Sequence, residues 1–108
     1  MICRIWHGWT TPEHAARYEA IVRGRGIPEI EARRIPGFRS IDLMRRSFED
    51  GVEFVTVMLF DDVEAVKGFV GEDYEVAHVP PEARAVLARF DERSAHYELL
   101  DHRDQPPI

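Results

Sequence analysis

Hydrophobic positions along this chain recur with two periods, and turn or cap residues mark each change between them. Ile2 to Thr10 reads as a strand, because Ile5, Trp6 and Trp9 have no helical spacing and suit a pleated surface. Thr11-Pro12-Glu13 reads as a helix start: Thr caps, Pro is pre-set for the first helical position, and Glu favours the positive end of the helix dipole. Ala15, Tyr18, Ile21 and Val22 follow at spacings of three and four, which predicts an apolar helical stripe. Gly24 and Gly26 predict its end. A short second helical piece is expected from Ile27 to Ile35, opened by Pro28.

After a Pro36-Gly37 turn the period changes to two. Ile41 and Leu43 fall on one side of a strand running to Ser47, with Ser40, Asp42 and Met44 on the other. Asp50-Gly51 predicts a two-residue type I′ hairpin turn, with residues 49 and 52 paired. The partner strand, Val52 to Asp61, is apolar on both faces, with Phe54, Met58 and Phe60 on one and Val55, Val57 and Leu59 on the other. A strand of this kind belongs at the centre of a sheet covered on both sides. Asp61-Asp62 is expected to cap a helix from Val63 to Val70 that stops at Gly71. Pro81 is expected to open a further helix, since Ala83, Val86, Leu87 and Phe90 have helical spacing. Ser94 to Leu100 reads as the last strand, and 101–108 as a polar, disordered tail.

The order strand, helix, strand, strand, helix, strand predicts one α+β domain over 1–100, a ferredoxin-like βαββαβ sandwich with an antiparallel sheet of order 4-1-3-2. Helices cover one face. Val55, Val57, Leu59, Met44 and Trp6 are assigned to the other. That apolar face exceeds the roughly 400 Å² patch that soluble monomers tolerate, so a homodimer through the open sheet face is expected.

Composition narrows the chemistry. The net charge is −6, and 13 of the 14 basic residues are Arg, with Arg33-Arg34 and Arg45-Arg46 lying beside acidic residues rather than forming a basic stripe. An acidic domain of this kind is a poor match to nucleic acid. The single cysteine, Cys3, excludes an intrachain disulfide and suits a reducing cytoplasm. No segment reads as a signal peptide or is long enough to span a bilayer, so no membrane partner is expected. Phosphate-loop, CxxC, HExxH and GxSxG motifs are absent, and the His residues match no local metal-ligand spacing.

Four stretches carry a resemblance: Ile2-Cys3-Arg4-Ile5-Trp6-His7-Gly8; Pro36-Gly37-Phe38; Glu53 to Asp62 running into Val63-Glu64-Ala65-Val66; and His96-Tyr97-Glu98. On these the chain resembles the dimeric α+β barrel superfamily, and within it the antibiotic biosynthesis monooxygenase-like proteins. The resemblance implies a pocket between sheet and helices, and a reaction of oxygen with a phenolic, polycyclic substrate without metal or flavin. It sets the strand-three Trp of that family on Phe60, the strand-three polar position on Thr56 and the strand-one polar position on His7. The haem-binding His of its haem-degrading relatives has no aligned counterpart.

The expectation is a cofactor-independent oxidoreductase of secondary metabolism acting on a small aromatic or polyketide-like compound, with no metal and no cofactor. His7 is the expected general base, because an imidazole is readily tuned for proton transfer near neutral pH. The resemblance places it on the helix side, and the alternative there is a buried structural His. His96 is its expected neighbour across the sheet. Met58 and Phe60 are the expected apolar wall, Thr56 a polar contact, and Tyr74 and His78 cap the pocket. Two other readings stay open: a non-catalytic ligand-binding or interaction module, and a haem-binding relative. A cavity between helices and sheet favours an enzyme, and a solidly packed interface favours a module.

Overall fold

The computed structural model describes all 108 residues of the chain. Strand β1 (Ile2–Thr10) leads through a 3₁₀ turn (Pro12–His14) into α1 (Ala15–Ile21), a π-helical turn (Val22–Gly26) and α2 (Ile27–Ala32). Then come β2 (Phe38–Ser47), β3 (Val52–Phe60), α3 (Val63–Val70), the short α4 (Pro81–Arg84), β4 (Arg89–Phe90) and β5 (Ala95–Glu98). The sheet order is β2-β3-β1-β4, with β5 also pairing β1, and every pairing is antiparallel. The fold is thus the ferredoxin-like α+β arrangement, with its last strand split in two.

Several elements form for the reasons their residues give. The Asp62 side chain accepts from the Ala65 amide and caps α3, which Gly71 ends at φ +95°. Gly37 is needed before β2, because its φ is +83° and a Cβ there would lie 2.7 Å from the Ala65 Cβ.

Four local expectations are corrected. The first crossover does not stop at Gly24 and Gly26; the backbone stays helical through a π turn. Its wider ring relieves the clash that Pro28 would make with the carbonyl four residues earlier. The hairpin is not a type I′ turn: Gly51 has no positive φ, Ser47 pairs with Val52, and a four-residue loop joins the strands. From Ser40 onward that register differs from the expected one by two residues, so those β2 side chains and their β3 partners keep their expected faces, while a bulge between Phe38 and Ser40 sets Phe38 opposite Phe60. The helix from Pro81 lasts four residues, because the chain turns to join the edge of β1, where the Ala88 amide donates to the Trp9 carbonyl and Phe90 pairs with Gly8. Finally, Trp6 lies under the helices and not on the open face.

The helix side of the sheet holds two core clusters. One gathers Trp6, Tyr18, Phe54, Ala83 and Val86 beneath α1 and α4. The other gathers Ile30, Met58, Phe60, Val66 and Phe69 beneath α2 and α3. Phe60 has no exposed surface and lies against Phe38 and Phe69. Phe60→Ala is therefore expected to cost about 3–5 kcal/mol in a denaturant titration. A cost under about 0.5 kcal/mol, the surface value, would contradict this placement.

Candidate functional site

Between the two core clusters lies a cavity of about 80 Å³. Trp6, Tyr18 and Ala83 from one cluster and Ile30, Met58 and Phe69 from the other contribute to its wall. Gly26 and Ile27, at the end of the π turn, complete the roof. The polar side chains at its surface are Arg4, Thr56, His78 and Ser94.

The alternation along β1 decides which residues reach it. Arg4 pairs with Met58, Trp6 with Thr56 and Gly8 with Phe54, so even-numbered β1 residues face the helices. Gly8 is what lets the indole lie flat, since a Cβ there would sit 2.5 Å from Trp6 Cη2. The Trp6 Nε1–H donates to the Asp91 carbonyl at 2.8 Å, which fixes the ring along the cavity wall.

Arg4 is the least expected member. It is 3% exposed. Its Nη1 donates to the Tyr74 carbonyl at 2.5 Å and lies 3.1 Å from His96 Nε2, and its Nη2 donates to the Val76 carbonyl at 2.7 Å. Burial pulls the guanidinium down to about 10, which leaves it cationic at neutral pH. The Ser94 hydroxyl, on the same cavity, and His96 Nδ1 are buried with no hydrogen-bond partner.

Two imidazoles flank this group. His78 stands at the cavity mouth, its ring 5.0 Å from Phe69. Burial, and then the charges of Arg33 and Arg4, hold it below its ordinary value. His96 is lowered too, first by burial and then by Arg4. Burial also pushes the Tyr18 hydroxyl up, so it remains a protonated donor on the cavity wall. No three His, Cys, Asp or Glu side chains converge as a metal site.

The expected site residues therefore separate. Thr56, Met58 and His78 line the cavity. Phe60 is sealed in the core beneath α3. Tyr74 contributes its carbonyl to Arg4 and its ring to His96, at 5.2 Å between centroids, without reaching the cavity. His96 touches Arg4 rather than His7. His7 is the clear correction. It pairs with Val55, faces the open side of the sheet, and its Nδ1 lies 2.9 Å from Asp91 Oδ2. The resemblance set strand one off by a single residue, and in a strand one residue reverses the face. Arg4, Trp6, Tyr18 and Ser94 were not anticipated. A lone Arg within Ile2-Cys3-Arg4-Ile5-Trp6 was the available signal, because a charge inside an apolar strand needs a reason.

No protein-family model matches the chain, and no curated protein matches it significantly in sequence. Solved structures do match. A candidate antibiotic biosynthesis monooxygenase from Bacillus cereus is 15% identical, with a TM-score of 0.66 over 99% of this chain and 98% of that one. Rv0793 from Mycobacterium tuberculosis is 21% identical, with a TM-score of 0.61 over 95% and 98%. SnoaB, a cofactor-independent oxygenase from Streptomyces nogalater, is 20% identical, with a TM-score of 0.54 over 98% of both chains. At these identities the likeness is one of fold.

Both lowered imidazoles imply an acid-labile fold. A folded value below the unfolded one means that, as pH falls below about 6.5, the unfolded chain binds protons that the folded chain refuses. The melting temperature is expected to drop from about pH 7 to about pH 5.5, and less steeply in His96→Gln. Proton NMR titration should find both imidazoles below the ordinary His value; values at or above it would contradict the placement.

Proposed function

We propose that this chain is a small-molecule enzyme that removes a proton from an aromatic compound held in the helix–sheet cavity, with His78 as the base. One observation carries the reading: the His78 imidazole lines a largely apolar helix–sheet cavity, its ring 5.0 Å from Phe69. A neutral imidazole is a competent base near pH 7, and a dry wall strengthens its interaction with an acidic O–H or C–H. Met58, Trp6 and Phe69 supply flat apolar surface for a ring, and Thr56 a hydroxyl to orient it.

The anion so formed has two outcomes. With oxygen, an activated ring carbon forms a C–O bond and the O–O bond breaks; the second oxygen atom leaves as water and the carbon becomes a quinone carbonyl. The substrate supplies all the electrons for this step, so no separate reductant enters the balance. Without oxygen, reprotonation at another carbon completes an isomerisation. The shared fold with SnoaB, itself described as a cofactor-independent oxygenase, supports the first outcome. The reading places the enzyme in secondary metabolism, in the cytoplasm, acting without a cofactor. No helix is long and apolar enough to cross a membrane.

The test uses a panel of phenolic one- to three-ring compounds under air, followed by quinone absorbance and oxygen uptake. Solvent deuterium entering an acidic C–H position, followed anaerobically, reports proton removal alone. His78→Ala is expected to lower either rate by about 10²–10⁴-fold while the fold persists. Unchanged turnover in this variant would remove the base from His78.

The working unit in this reading is a homodimer joined through the open sheet face. That face has an apolar centre of Ile5, Val55, Val57, Leu59 and Met44, with Met44 half exposed. Two polar pairs on this face are joined within the chain, His7 with Asp91 and Arg46 with Glu53 at 2.7 Å, while Asp42, opposite Val57, has no ion-pair partner. An apolar face of this kind suits a second copy of itself, sheet on sheet. Val57→Asp is expected to give a single-chain mass by light scattering where the wild type gives twice that mass. A wild type of single-chain mass at micromolar concentration would overturn the dimer.

A further inference from the structure

We infer that the cavity takes a small organic acid, its carboxylate seated between the Arg4 guanidinium and the Ser94 hydroxyl; this rests on the reading of the cavity as a substrate site. Arg39, Arg46 and Arg93, all at the surface, each hold a carboxylate within 2.7 Å. Arg4, far more buried, holds none: its partners are two carbonyls and an imidazole. With 20 acidic residues in the chain, an acidic neighbour is not scarce. The charge is left without a counterion at the wall of the helix–sheet cavity.

Donor counting points the same way. A guanidinium has five N–H groups, and three contacts account for three of them. One N–H on Nε and one on Nη2 have no partner in the protein. These two N–H groups are left to donate to an anion at the cavity wall. The Ser94 hydroxyl, 3% exposed and lining the same cavity, also has no partner. A buried cation and a buried orphan hydroxyl both cost stability when unliganded, and a carboxylate satisfies both. The lowered value of Arg4 agrees with a charge that burial penalises and no acid offsets.

The remaining walls set the body of the acid. Trp6, Tyr18, Met58 and Phe69 offer apolar and aromatic surface. An apolar cavity of roughly 150 Å³ takes a benzene ring, so about 80 Å³ seats the carboxylate and part of a ring, the remainder lying in the open mouth.

The probes are benzoate and its neutral isostere benzamide, with affinities measured by calorimetry on the wild-type chain. Benzoate is expected to bind at least about tenfold more tightly, the worth of one charge-assisted hydrogen bond. Arg4→Met is expected to erase that preference while benzamide still binds. Because this change also strips the Tyr74 and Val76 carbonyls of their donor, Ser94→Ala provides the second variant. It is expected to leave the melting temperature level or higher, since it removes an unsatisfied buried hydroxyl, and yet to weaken benzoate several-fold. Equal affinity for the two probes, or a preference surviving both substitutions, overturns the acid inference and leaves the cavity reading standing. Failure of both probes to bind overturns the two together.

Discussion

The nine-residue pairing of β1 with β3, from Ile2 opposite Phe60 to Thr10 opposite Val52, is the constraint on which the rest of the molecule depends. Side chains alternate across a strand, so this one register sorts the whole central ladder into two populations. Arg4, Trp6 and Gly8 join Thr56, Met58 and Phe54 under the helices. Ile5 and His7 join Val55 and Val57 on the open face. Shifting β1 by one residue would bury His7 and Ile5 beneath the helices, expose Trp6, and move the Arg4 charge to the far side of the sheet. In the register observed the Trp6 indole lies across Gly8 on the helix side and forms part of the cavity wall.

Keeping a guanidinium inside the fold requires donors to be matched nearby, and the irregular second crossover does this. Tyr74 and Val76 turn their carbonyls toward Arg4, and the chain then runs over the cavity mouth at His78 before returning through α4. The break in the last strand serves the same centre. Between β4 and β5 the chain leaves the β1 edge, which puts the Asp91 carbonyl on the Trp6 indole, the Asp91 carboxylate on His7, and the Ser94 hydroxyl at the cavity wall. A continuous last strand would have spent those backbone groups on the ladder. The irregular segments are thus where the core's polar groups are matched, and where they are deliberately left unmatched.

This explains how far the residues alone could be read. The element order, the sheet order and the faces of β2 and β3 followed from periodicity, because Phe54, Met58 and Phe60 alternate cleanly with Val55, Val57 and Leu59. The hairpin loop was misjudged by two residues without consequence, since an even shift keeps the face. β1 had no such alternation: Arg4, Trp6 and Gly8 on one side and Ile5, His7 and Trp9 on the other are equally mixed. Periodicity therefore left its parity open: Trp6 was assigned to the open face and, by resemblance, His7 to the helix side, each one residue out of phase with the observed pairing. The helical spacing of Val86, Leu87 and Phe90 misled for a different reason. Val86 and Leu87 close a turn onto Ala83 and Arg84 while Phe90 joins the β1 edge, and edge pairing competes with helix extension in a way that periodicity does not record. His78, Thr56 and Met58 were legible as pocket residues because their elements were placed correctly. Arg4 and Ser94 became legible only with their partners in view, since what distinguishes them is the carboxylate that one lacks and the hydrogen bond that the other lacks.

The two faces of β1 separate two kinds of dependence within one strand. Its odd positions face the apolar sheet surface, where substitution acts on whatever covers that surface. Its even positions face the cavity, where substitution acts on what the cavity holds. The separation is not complete, because Asp91 spans it: its carboxylate meets His7 on the open side while its carbonyl anchors Trp6 on the cavity side. A change in the packing of the open face that moved His7 would bear on Asp91, and through its backbone on the indole that forms the cavity wall. The route is short, runs through two hydrogen bonds of 2.9 and 2.8 Å, and is the one place where these contacts join the open sheet surface to the cavity.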